Sequence, residues 1–122
     1  MKRLIFSIAA LIVATLPASA AGIGLTLMLD TPGEWRHVSY ICEGREERLS
    51  VAYVNAAPNF LALVPVEGQT LVFASALSGS GVRYVSGKYE WRTKGPDASL
   101  YDLTGDAEAP PLLVCLEASE IP

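Results

Sequence analysis

The chain has 122 residues, 51% hydrophobic and 18% charged, with 9 Lys+Arg against 13 Asp+Glu. That length holds one domain, because two cores would each be too small to offset chain entropy. The formal charge of -4 argues against binding nucleic acid through a basic face, and one His with two distant Cys offers no metal-ligand cluster.

Met1-Lys2-Arg3 begins the chain with positive charge, and Leu4 to Leu16 is an almost unbroken apolar run. Pro17-Ala18-Ser19-Ala20 ends it with small residues in the A-x-A arrangement, the layout of a cleavable secretory signal over residues 1–20. The run is short of the roughly 20 apolar residues a membrane-spanning helix needs. Ala21-Gly22-Ile23-Gly24 has no Cys for lipid attachment, so residues 21–122 are expected to be a free, exported domain. Cleavage takes away Lys2 and Arg3 and no acid, leaving 7 basic against 13 acidic side chains, a charge of -6. Export also lets Cys42 and Cys115 pair in an oxidising compartment, the alternative being two free buried thiols.

Beyond the signal the chain reads as short strands. Leu25 to Leu29 is a candidate first strand, and Asp30 to Glu34 is a loop. In His37 to Cys42 the residues Val38, Tyr40 and Cys42 share a face. Leu49, Val51 and Tyr53 alternate with Ser50, Ala52 and Val54, and the runs Phe60 to Val66 and Leu71 to Leu77 have strand length. Val82 and Tyr84 share a face, as do Tyr89, Trp91 and Thr93, with Glu90, Arg92 and Lys94 opposite. Ala98 to Leu103 and Leu112 to Leu116 complete the series. Period-two alternation in β-branched and aromatic residues is the strand signal. Turn residues punctuate it at Glu43-Gly44, Glu67-Gly68, Ser86-Gly87 and Lys94-Gly95-Pro96-Asp97. Such spacing predicts an all-β antiparallel meander, a barrel or a sandwich. A Cys42–Cys115 bridge would tie an early strand to the last.

Catalytic chemistry is sparse. No G-x-S-x-G elbow occurs, and His37 stands alone. Glu90 and Asp102 are a possible carboxylate pair. Ser78-Gly79-Ser80-Gly81 has the glycines of a phosphate loop without its Lys or its strand–loop–helix setting. Taken singly, Ser80 is a turn residue, Lys94 a solvated charge and Trp91 core. The chain is expected to be no enzyme and to hold no cofactor or metal.

Four blocks in order say more. Val38-Ser39-Tyr40-Ile41-Cys42-Glu43-Gly44 followed by Leu49 to Tyr53 resembles the opening of the c-type lysozyme inhibitor family (MliC/PliC). Ser78 to Tyr84 resembles that family's S-G-x-x-Y motif, with Ser80, Gly81 and Tyr84 in the marked places. Tyr89 to Leu100 resembles its W-x-T-K-G-x-x-A-x-L block, and Val114-Cys115 its closing strand. The departures are Arg92 in place of a second Trp, Pro96 in place of an acid, and a long loop from Asp106 to Pro111.

The resemblance implies an eight-stranded, lipocalin-like antiparallel barrel in the periplasm, with c-type lysozyme as its protein partner. It implies that Ser80 and Lys94 protrude from neighbouring loops into the lysozyme cleft, with Gly81 and Gly95 permitting close approach. Tyr84 is either a contact or a support from the core. Two other classes stay open, a small-ligand-binding barrel and an envelope protein-interaction module. The large residues Tyr40, Tyr53, Phe60, Phe73 and Trp91 argue for a filled interior.

Overall fold

The computed structural model describes residues 10–17 and 22–120, and the expected cleavage motif at Ala18-Ser19-Ala20 lies outside the described residues. Eight strands follow in chain order: β1 (Glu34–Cys42), β2 (Leu49–Ala56), β3 (Asn59–Val66), β4 (Gln69–Ala76), β5 (Val82–Ser86), β6 (Tyr89–Lys94), β7 (Asp97–Asp102) and β8 (Leu113–Glu117). Each pairs antiparallel with the next, and β8 returns to β1, so the expected barrel closes. A single 3-10 turn, Ala118–Glu120, caps β8.

Alternation decides which side chains go inside. Val38, Tyr40 and Cys42 are the buried residues of β1, and the inward faces of the other strands add Val51, Val64, Phe73, Trp91 and Leu100. Two-residue turns join several strands. At Glu67-Gly68 both residues have positive φ, 49° and 78°, the mirror-image turn that suits the twist of a hairpin.

Leu25 to Leu29 is not a strand. Its side chains Leu25, Leu27 and Met28 stay exposed and pair with no strand, and β1 instead starts three residues before His37, at Glu34.

The closing seam is short. β1 meets β8 at only Tyr40↔Glu117, Ile41↔Leu116 and Cys42↔Cys115, and the last of these pairs is the disulfide, as expected. No helix among the described residues is long and apolar enough to cross a membrane.

Glu90 and Asp102 do not form a carboxylate pair. Glu90 sits across from Tyr101, whereas Asp102 pairs with Tyr89, so the two acids face opposite sides of the sheet. Glu90 is 1% exposed, although its position points outward. Arg83 and Arg92 lie directly opposite each other on β5 and β6, and both guanidiniums close over Glu90. Arg92 also stacks on Tyr101, 4.8 Å from the ring centre. The carboxylate thus relieves a like-charge pair that would otherwise be destabilising.

Both acids matter for pH. Burial works to raise the Glu90 pKa, but the hydrogen bonds and charges of Arg92 and Arg83 outweigh it and the net shift is downward. The Thr104 hydroxyl and amide, with the Lys88 ammonium at 3.1 Å, lower Asp102 to about 2. Groups depressed in the folded state stabilise above their unfolded pKa and lose that contribution as the pH falls. Urea midpoints are therefore expected to be flat above roughly pH 5 and to fall steadily toward roughly pH 2. A Glu90→Gln variant should show a lower midpoint at neutral pH and a shallower acid limb. A midpoint that rises on acidification would contradict this account.

Candidate functional site

The barrel has two unlike ends. The disulfide, the Glu67-Gly68 turn and the Leu103–Leu112 loop lie at one. At the other, β1 begins, β2 ends, β4 runs into the loop Leu77–Gly81, and β6 turns into β7 through Gly95-Pro96. The family-motif residues gather at this second end.

Register explains the juxtaposition. Val82 pairs with Thr93, which sets Gly81 beside Lys94. Gly81 has φ +67°, and a Cβ built on it would lie 2.3 Å from the Thr93 carbonyl oxygen and 3.3 Å from the Lys94 Cβ. Only glycine fits there. The loop is also held by the Ser78 hydroxyl, which donates to the Ser80 carbonyl at 2.9 Å. Gly95 has φ +57°, so the tight turn demands glycine, although nothing stands within 4 Å of its missing Cβ. Ser80 and Lys94 are both exposed on this double loop.

Gly81→Ala is expected to lower stability by roughly 1–3 kcal/mol, from an unfavourable φ combined with a backbone clash. Gly79→Ala, two residues away with open space around it, should stay within about 0.5 kcal/mol of the parent. Urea melts of the two variants check the pair; equal melts would mean that the loop does not need its close approach.

Tyr84 lies elsewhere. It is 5% exposed and packs inside the barrel, its ring 5.7 Å from that of Tyr53. It underpins the rim from below.

Sequence reasoning missed the apolar collar of this end. Leu77 is 96% exposed beside Ser78, and Trp35, Phe60 and Val82 project at neighbouring strand ends. Exposed apolar side chains gathered round a polar centre mark interaction surfaces. Only the register reveals that these four residues share one end.

A cavity of about 520 Å³ opens at the same mouth, bounded by Tyr40, Tyr53, Tyr84, Val82, Thr93 and Gly95 among others. The interior is therefore not filled along its whole length. Trp91 and Phe73, both 0% exposed, plug the middle, while the tyrosines form a floor under the open end. The Trp91 indole N–H donates to the Tyr53 hydroxyl at 2.8 Å, and the Tyr53 and Tyr40 hydroxyls are 2.8 Å apart. Burial raises the pKa of all three tyrosines, so they remain protonated phenols.

Fold and rim together define a small disulfide-closed barrel that presents two touching loops at its open mouth. The chain belongs to the MliC family: residues 40–109 match the family model described as membrane-bound lysozyme-inhibitor of c-type lysozyme. A relative from Pseudomonas aeruginosa, named membrane-bound lysozyme inhibitor of C-type lysozyme, is 44% identical over 78 residues, 63% of this chain and 61% of that protein. A relative of the same name from Cupriavidus necator is 40% identical over 83 residues, 68% of this chain and 66% of that protein. The chain thus spans somewhat less than two thirds of the length of either. The crystal structure of Pseudomonas aeruginosa MliC in complex with hen egg white lysozyme aligns with a TM-score of 0.64 and 38% identity, covering 82% of this chain and 99% of that one.

Proposed function

We propose that this protein is an exported inhibitor of c-type lysozyme that blocks the enzyme's cleft with the double loop of Ser80 and Lys94. The observation that carries the reading is the contact of Gly81 with Thr93 and Lys94, which puts an exposed hydroxyl and an exposed ammonium on one ridge. The solved relative bound to hen lysozyme supports the same partner for this chain.

The chemistry suits the target. Lysozyme works with one protonated carboxyl and one ionised carboxylate. The Lys94 ammonium would pair with the carboxylate, and the Ser80 hydroxyl would exchange a hydrogen bond with the acid. Gly95 keeps the turn narrow enough to enter a cleft. Leu77, Trp35 and Phe60 would supply the apolar contact around this polar centre. In this role the chain binds an enzyme and is not one.

We place it in the periplasm, cut after Ala20. Its relatives are named membrane-bound. Here both cysteines are joined in the disulfide, which supports a barrel that acts free. Its charge of -6 without residues 1–20 would steer it toward a basic enzyme.

One experiment tests the whole reading. Protein released from the periplasm is weighed intact, then titrated against lysozyme clearing a cell-wall suspension. Stoichiometric inhibition by a species starting near Ala21 is expected, with an association rate that falls as salt screens the attraction. Undiminished clearing by every c-type lysozyme tried would remove the function, and a mass that includes residues 1–20 would remove the cleavage.

A further inference from the structure

The cavity behind the rim offers chemistry that plugging a cleft does not use. Tyr84 is 95% buried by exposure, lines the cavity, and engages no hydrogen-bond partner among the described residues. Its hydroxyl opens onto the cavity, where its proton is free to donate to a guest.

A proton count gives a second donor. Tyr53 accepts the Trp91 N–H, and the Tyr40–Tyr53 contact uses one phenolic proton whichever ring supplies it. Two hydroxyls carry two protons, so one remains to donate outward. Both rings line the cavity. The walls near them are apolar, from Val38 and Val82, and the charges at the mouth cancel because Arg36 binds Glu117 at 3.2 Å.

We propose that this cavity binds small uncharged molecules that carry an amide or ketone carbonyl on an apolar body. The carbonyl oxygen, with two lone pairs, accepts from Tyr84 and from the Tyr40–Tyr53 pair, and the body lies against Val38 and Val82. A carboxylate would find no unpaired cation at the floor, and at the mouth Arg36 is already paired with Glu117. A cation would meet free phenolic donors at the floor, and the Glu117 carboxylate at the mouth is already paired with Arg36. The volume, about 520 Å³, is within the range of roughly 300–1,000 Å³ usual for small-molecule sites. The proposal does not rest on the lysozyme reading, since the hydroxyls it uses, on Tyr40, Tyr53 and Tyr84, lie below the Ser80–Lys94 ridge.

The test uses acetanilide, an amide on a phenyl ring, and N-ethylaniline, the same skeleton with a methylene in place of the carbonyl. Proton–nitrogen NMR follows the Trp91 indole N–H, told apart from that of Trp35 by a Trp35→Phe variant. Polarisation along the Trp91–Tyr53–Tyr40 chain makes that proton a reporter of the floor. Acetanilide is expected to shift it saturably at about millimolar concentration, the affinity range of a fragment of this size. Tyr84→Phe, which keeps the ring and its packing, should bind acetanilide about five- to tenfold more weakly, and N-ethylaniline should suffer a similar loss on the parent protein. The absence of saturation, or equal binding by the variant and by both probes, would overturn the proposal and leave the cavity to solvent.

Discussion

Replacing Lys94 with alanine is expected to weaken lysozyme inhibition by about 2–5 kcal/mol, which is about 30-fold to several thousand-fold in the inhibition constant. The loss is large because an ammonium would leave a carboxylate that binding has already stripped of water. Stability should hold, because Lys94 is exposed and makes no ion pair with a described residue. Its melting curve should overlay the parent's within about 0.5 kcal/mol. Ser80→Ala removes one neutral hydrogen bond and is expected to cost about 1 kcal/mol, roughly fivefold. Because Gly81 locks the two loops together, the pair should couple, and the double variant should depart from the sum of the singles. Inhibition constants and melts of the three variants form the check. A well-folded Lys94→Ala protein that inhibits like the parent would show that the β6–β7 turn is only a turn.

The residues that failed to announce their role in sequence failed for definable reasons. Strand identity was legible wherever one face is buried, as at Val38, Tyr40 and Cys42, because closure makes alternation strict. It was not legible at Glu34 to Arg36, where the side chains are exposed and no alternation exists. Leu25 to Leu29 reads as a strand locally, yet it joins none of the eight paired strands, and Leu25 and Leu27 stay exposed. Glu90 reads only as an acid on the face opposite Trp91 and a possible partner of Asp102, since its burial depends on two arginines brought together by register. The cavity was hidden in a similar way. Large side chains can be counted along a sequence, but their height along the barrel axis cannot, so the tyrosine floor looked like solid core. The Ser80–Lys94 ridge was legible only through motifs. The physical reason for it, a backbone contact at Gly81, needs three dimensions.

Removing the disulfide with Cys42→Ala and Cys115→Ala is expected to cost about 4 kcal/mol of stability, set by the sequence separation of 73 between the cysteines. The cross-link keeps the unfolded chain from gaining that freedom, and it joins almost the full length of the barrel, from β1 to β8. Local structure makes the position sensitive as well. The β1–β8 seam has three registered pairs, as few as β4–β5 and against seven between β1 and β2, so closure has little backbone support here. For a domain of this size the loss corresponds to a fall of roughly 15–30 °C in melting temperature. The urea m-value should rise, because an uncrosslinked chain exposes more surface when it unfolds. The rim lies at the opposite end and is tied by β5, β6 and β7, so whatever fraction remains folded should keep the Ser80–Lys94 ridge. Inhibition measured well below the lowered melting temperature is therefore expected to survive, and inhibition near it to vanish. A double variant that melts with the parent would show that strand pairing alone closes the barrel. One that is folded yet inactive in the cold would show that the seam and the rim are coupled through the core.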